Sequence, residues 1–263
     1  MYHFSFNSYG VKVRVDCEDE SLFETAVAVV KRTLLGRLTP IAKGDADHVF
    51  TLGKDESRLS MDLNGEDLGG GEVDWVYFKY FDTRVRLLVA EHAVDHVFMH
   101  AGVVGWNGKA LVFPGDSYSG KTTLVAEFVK RGALYYSDEY AVINRYGLVH
   151  PFPRKLSIRD KNGTPRKVDV GVESLGGEIG IDAIPASLVL LTKFRPRSRW
   201  DPIVLTPGVG AMKMMPQAIS LRFHSKFTLD VLNRVANRAM IAESLRGSAK
   251  NCVSKIIDFV DNS

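Results

Sequence analysis

Cysteine is nearly absent: Cys17 and Cys252 are the only two in 263 residues, and no CxxC or Cys/His spacing accompanies them. A disulfide framework and a structural zinc site are therefore excluded as expectations. Neither sign of charge dominates, with 34 basic against 31 acidic residues, so composition argues against a nucleic-acid partner. No apolar run approaches the roughly 20 residues that span a bilayer; the longest, around Ser187 to Leu191, reads as a buried strand. Met1 to Gly10 lacks the basic and apolar regions of a signal peptide. The expectations are a cytoplasmic protein with no membrane partner. Internal repeats and low-complexity tracts are also missing, and 45% hydrophobic residues exclude a disordered or collagen-like chain.

What is present reads as α/β. Val11 to Val15 alternates as a half-buried strand does, and Asp19 to Arg37 carries apolar residues at helical spacing. Gly69-Gly70-Gly71 predicts a flexible break before an aromatic strand Trp75 to Phe81, and Val85 to Met99 predicts a helix leading into His100. Residues 1–98 thus form an expected α+β lobe, with a second domain over 99–263. There the pattern predicts strands Ala101 to Gly105 and Lys109 to Phe113 around an Asn107-Gly108 hairpin turn, then helix Lys121 to Arg131. Strands Leu134 to Tyr136, Tyr140 to Asn144 and Leu148 to Phe152 follow, then strands Ser187 to Thr192 and Ile203 to Leu205. Helices are expected near Ala211 to Ile219, Thr228 to Ala242 and Ala249 to Phe259.

The strongest local signal is Gly115-Asp116-Ser117-Tyr118-Ser119-Gly120-Lys121-Thr122, which satisfies GxxxxGK[ST] at every fixed position. A strand is predicted before it and an amphipathic helix after it, the context that a phosphate-binding loop needs. The glycines let backbone N–H groups converge on phosphate oxygens, and the helix amino terminus adds partial positive charge. Lys121 would bridge terminal phosphates, Thr122 would ligate Mg²⁺, and Thr123 continues the first turn with a further phosphate contact. Fifteen residues beyond Thr123 comes Asp138-Glu139, where the metal-binding acid of such sites normally falls. One carboxylate can hold magnesium while its neighbour accepts a proton from an attacking hydroxyl; a solvated acidic turn is the bland alternative. His100 reads by itself as a capping or packed residue. Arg154, in the rigid turn Pro151 to Lys155, could face either transferring phosphate or solvent.

His100-Ala-Gly-Val-Val, the loop opening Gly115-Asp-Ser, the helix end Lys130-Arg-Gly132, Ser137-Asp-Glu139 and Pro151-Phe-Pro-Arg154 occur in an order and spacing that resemble the HPr kinase/phosphorylase superfamily, in its divergent HPr-kinase-related branch. Residues 99 to 160 carry nearly all of the resemblance. It implies a mixed sheet around the phosphate loop, similar to the core of phosphoenolpyruvate carboxykinase. It implies an ATP- and Mg²⁺-dependent kinase acting on a hydroxyl of a peptide or protein, with small-molecule hydroxyls as a further acceptor class. An ATP-binding regulatory or assembly protein without phosphotransfer is the reading from a different class. The implied catalytic residues are Asp138, His100, Lys121, Glu139 and Arg154, with Thr122, Asp138 and Glu139 at the metal and His100 tuning the basicity of the acid pair. Three features depart from the family pattern: Tyr118 and Ser119 are larger than usual, Glu139 replaces a second aspartate, and no downstream phosphorylase signature is found. They argue against HPr itself as acceptor, favour Asp138 as the group nearest the phosphates and leave the role of Glu139 open. HPr kinases are oligomers; homo-oligomerisation stays an open expectation here, because motif resemblance alone does not carry it.

Overall fold

The structure, a computed structural model, describes residues 1–55, 58–117, 119–159 and 167–262, arranged in two compact units, Met1–Asp95 and His96–Ser263. Among the described residues no helix is long and apolar enough to cross a membrane.

In the first unit, β1 (Tyr2–Ser8) and β2 (Val11–Cys17) pair antiparallel around a tight turn in which Tyr9 and Gly10 have φ of 51° and 82°. Positive φ at both central residues matches the right-handed twist of the strands. α1 (Glu20–Thr33) starts at Asp19, whose carboxylate accepts from the Leu22 N–H at 2.8 Å. It ends before the expected Arg37 because Leu35 and Gly36 enter the left-handed region, with φ of 55° and 71°. β3 (Thr39–Pro40), β4 (His48–Asp55), β5 (Arg58–Leu63) and β6 (Glu66–Gly71) complete a sheet of order β3-β1-β2-β4-β5-β6, followed by α2 (Asp74–His92). Thr33 Oγ1 on α1 donates to Asp82 Oδ1 on α2 at 2.5 Å, a buried polar tie between the two helices.

Three expectations are corrected here. The triple glycine is the end of a strand, not a flexible break: a Cβ at Gly70 would sit 1.9 Å from the Leu59 carbonyl oxygen, so glycine permits the close approach of β6 to β5. Trp75 to Phe81 is the first half of α2. Its aromatic content suggested a strand, but Tyr77, Phe81, Val85, Leu88 and Val89 are buried at helical spacing, and Phe81 meets Phe50 edge-on at 5.5 Å. The helix also stops at His92, so Val97 to Met99 are not helical.

The second unit opens with β7 (His96–Trp106) and β8 (Lys109–Pro114), the expected hairpin, turning through Asn107 and Gly108 at φ 48° and 72°. α3 (Lys121–Val129), β9 (Leu134–Ser137), β10 (Tyr140–Asn144), β11 (Leu148–His150), β12 (Leu156–Arg159) and β13 (Lys167–Val170) follow. β14 (Ile184–Phe194), β15 (Ile203–Val204), α4 (Pro207–Met214), α5 (Ser225–Ala236), β16 (Met240–Arg246) and α6 (Ala249–Asp261) complete it. The main sheet runs β11-β10-β7-β8-β14-β16-β15, with β9 beside β7. It is mixed: β14 lies parallel to both β8 and β16, while its other ladders are antiparallel.

Alternate side chains face opposite layers, as the pleat requires. Val103, Val112, Val189 and Ile241 pack with Met214, Val231 and Leu232 of α4 and α5, whereas Leu111, Phe113 and Leu188 pack with Leu124, Phe128 and Val253 of α3 and α6. The helix expected over Thr228 to Ala242 ends at Ala236, and Met240 to Ala242 begin β16. Its ladder partner is β14, some fifty positions earlier, and no local pattern announces such a pairing. α4 ends at Met214 rather than continuing to Ile219, and Pro151 cuts the strand expected to Phe152 at His150.

Candidate phosphate-loop site

The loop between β8 and α3 emerges at the carboxyl ends of the parallel strands β8, β14 and β16, where open α/β sheets leave a crevice for ligands. Tyr118 lies outside the described residues. Asp116 and Ser117 are exposed, whereas Ser119 is buried and its Oγ has no hydrogen-bond partner among the described residues. Gly120, at φ 90° and ψ 20°, turns the chain into α3. The first-turn N–H groups of α3 face back into the loop without intrahelical acceptors.

Lys121 is 8% exposed, and its ammonium donates to the carbonyls of Gly115 at 2.7 Å and Asp116 at 2.9 Å, so the lysine closes the loop from within. Gln217 Nε2 donates to Asp116 Oδ1 at 3.0 Å, and the Phe194 N–H donates to Ser119 O at 3.1 Å, anchoring the outer edge. Thr123 is exposed at the rim.

Asp138 and Glu139 sit in the turn from β9 to β10. Ser137 Oγ, fully buried, accepts from the Glu139 and Tyr140 N–H groups at 3.2 and 3.0 Å and shapes that turn. The Asp138 carboxylate hydrogen-bonds the Thr122 hydroxyl and the Ser157 backbone, with the Lys121 charge beside it. Its Oδ1 is sealed from solvent and has no hydrogen-bond partner among the described residues. Burial pushes the Asp138 carboxyl up to about 7; the Thr122 hydrogen bond and Lys121 pull against that rise, and Glu139 adds to it. Arg154 Nε lies 3.5 Å from Glu139 Oε2, and the Arg154 carbonyl accepts from the Tyr135 hydroxyl at 2.6 Å.

His100 does not close a helix; it lies within β7 opposite Tyr140. Its carbonyl accepts from the Gly115 N–H at 3.3 Å, and the next N–H, of Ala101, donates to the Glu139 carbonyl at 3.1 Å. One peptide of β7 therefore ties the start of the loop to the acidic turn. Lys121, Thr122 and Asp138 are brought together directly, Glu139 pairs with Arg154, and His100 joins both groups through its backbone.

Two features escaped the sequence reading. Arg246, at the end of β16, is 1% exposed and donates from Nη2 to the Gly120 carbonyl at 2.7 Å, behind the loop. Lys193, Arg195, Arg197 and Arg199 form an alternating basic run that starts in the last residues of β14; that spacing is visible in the sequence. Lys193 and Arg199, with Ser119, Thr192, Glu243 and Leu245, line a cleft of about 670 Å³ on the β14–β16 side of the loop, the side away from Asp138.

Among the described residues no cluster of three or more His, Cys, Asp or Glu side chains is arranged around a metal position. The hard oxygen donors of Thr122 and Asp138, with one carboxylate oxygen unpartnered, suit a cation such as Mg²⁺, which takes one or two protein ligands and completes its shell with phosphate and water. In comparisons with known proteins, the chain matches no family model and no curated protein.

Proposed function

We propose that the His96–Ser263 unit is an ATP-dependent kinase, similar to HPr kinases, that transfers the γ-phosphoryl group to a hydroxyl of a peptide or protein. The observation that carries this reading is the convergence of Lys121, the Thr122 hydroxyl and the buried Asp138 carboxylate at the amino end of α3. A phosphate loop alone serves many nucleotide-binding proteins; a buried carboxylate hydrogen-bonded to the loop's threonine is placed to orient an attacking hydroxyl and accept its proton.

The triphosphate would lie along the N–H groups of Gly120 to Thr123, with Lys121 leaving the Gly115 and Asp116 carbonyls to meet its oxygens. The nucleoside half fits the 670 Å³ cleft. Mg²⁺, held by Thr122 and Asp138, would neutralise phosphate charge. On the opposite side of the loop, Asp138 takes the hydroxyl proton as the acceptor oxygen bonds to the γ-phosphorus; the bond from that phosphorus to the β,γ-bridging oxygen breaks, and ADP leaves. The resemblance to HPr kinases supplies the acceptor class, a serine or threonine hydroxyl.

The test uses ATP labelled at the γ-phosphate, Mg²⁺ and a panel of hydroxyl-bearing peptides. Wild-type protein should label an acceptor; Lys121→Ala should lose nucleotide binding, and Asp138→Asn should bind ATP yet transfer at least about a hundredfold more slowly. Equal labelling by all three proteins would refute the assignment. ATP binding with no labelled product over a broad panel would favour a nucleotide-dependent regulator.

A further inference from the structure

Arg246 occupies an unusual position for a cation. It is 1% exposed, and among the described residues no carboxylate pairs with it. Its contacts are the Gly120 carbonyl at 2.7 Å, the Gly247 carbonyl at 3.2 Å and the face of Phe194, 5.9 Å from the ring centre, while its Nε has no partner among the described residues. A guanidinium keeps its charge in proteins, and a buried charge without a counter-ion is costly. A fold retains such a group where something else uses the charge.

What lies in front of Arg246 is the amino end of α3. The Gly120 carbonyl accepts from both Arg246 Nη2 and the Leu124 N–H, at 2.7 and 3.1 Å. In a trans peptide the N–H points opposite to the carbonyl, so the same bonds aim the Lys121 N–H into the loop. Arg246 thus stands on one side of the Gly120–Lys121 peptide, and any anion bound by the loop stands on the other.

We propose that Arg246 is a second fixed cation of an anion site specific for polyphosphate, acting from behind the loop as a positioning residue. It rests on the phosphate-loop reading given under Proposed function. Arg246 orients the Lys121 N–H, and its charge adds to Lys121 and to the dipole of α3; the ligand is its missing counter-ion. Standard peptide and hydrogen-bond lengths put the guanidinium roughly 7 Å from a phosphate oxygen on that N–H. At the effective dielectric of about 20 found near protein surfaces, one unit charge at that separation corresponds to about tenfold in affinity or more.

The experiment is calorimetric titration of the full chain with inorganic tripolyphosphate, with thermal unfolding as a check on folding. Arg246→Lys keeps the charge and should bind within about threefold of wild type. Arg246→Gln and Arg246→Met remove it and should bind about tenfold more weakly, while unfolding without ligand no earlier than Arg246→Lys. Wild-type affinity in either neutral variant would overturn the proposal, as would equal impairment of the lysine and neutral variants. If neither neutral variant folds, the lysine variant decides: near-wild-type binding supports the proposal and tenfold loss overturns it. Lys121→Ala separates the two levels of inference. Should wild type itself fail to bind tripolyphosphate, the phosphate-loop reading falls and this proposal with it; should Lys121→Ala lose binding while the neutral Arg246 variants keep it, only the Arg246 proposal falls.

Discussion

Replacing Gly120 with alanine tests the loop at its most constrained point. Two separate costs arise. At φ 90° an alanine sits in the left-handed region, which costs about 1–2 kcal/mol for an L side chain. The new Cβ would also lie 2.5 Å from Arg246 Nη2, and that group cannot simply withdraw, because it is buried and bonded to the Gly120 and Gly247 carbonyls. Losing a hydrogen bond made by a charged donor adds about 1.5–3 kcal/mol, so the total is about 2.5–5 kcal/mol. For a unit of this size, at about 2–4 °C per kcal/mol, the transition should fall by roughly 5–20 °C. Gly108→Ala is the matched control: φ is 72° but nothing lies within 4 Å of the added Cβ, so only the backbone cost of about 1–2 kcal/mol applies. Differential scanning calorimetry of the full chain would measure both variants against wild type, following the transition they share. An equal drop in the two would refute the claim that Arg246 is fixed behind Gly120.

Two further outcomes follow from single groups. The Arg154–Glu139 pair is partly exposed at 3.5 Å, so Arg154→Ala should change stability by less than about 1 kcal/mol; a transfer rate nonetheless about tenfold lower would assign Arg154 to the ligand, and an unchanged rate would assign it to the turn. Burial, then the charges of Asp16 and Asp19, pushes the Cys17 thiol from 9.0 up to about 12, so the folded state holds it neutral when the unfolded chain would ionise it. Its contribution is complete below pH 9 and is lost as pH rises toward 12, amounting to about 1.4 kcal/mol by pH 10. Urea unfolding at pH 7.5 and pH 10 should therefore show a smaller pH effect in Cys17→Ala than in wild type, and identical pH effects would refute the assignment.

What could be read from the sequence depended on the range of the interaction. Asn107-Gly108 demands positive φ within its own dipeptide, and the GxxxxGKT spacing places a lysine and a threonine on the first turn of a helix; both are local, and both lie where the pattern put them. The partnership of Thr122 with Asp138 was legible only as spacing, because the contact itself depends on β9 lying beside β7. Trp75 to Phe81 misled because aromatic residues favour strands in general, while burial against Phe50 decides this case. β16 was hidden for a stronger reason. A parallel strand covered on both faces is a short apolar run, and Met240 to Ala242 is indistinguishable by periodicity from the end of the helix before it. Since Arg246 ends that strand, the charge behind the loop was hidden with it.

The order of the strands has a consequence for the proposed chemistry. In-line phosphoryl transfer needs the attacking and leaving oxygens on opposite sides of the phosphorus. Asp138 follows β9, beside β7, whereas the cleft is walled by β14 and β16, and the loop rises from β8 between them. In the proposed reaction, with the terminal phosphate in the loop, an acceptor activated by Asp138 would approach from the β7 side while the nucleoside would recede toward β14. The bonds from the His100 carbonyl to the Gly115 N–H and from the Ala101 N–H to the Glu139 carbonyl hold these two sides in one register, because both belong to consecutive residues of a single strand. Displacement of the acidic turn is thereby coupled to displacement of the loop. The backbone of β7 thus supplies part of the preorganisation of the site.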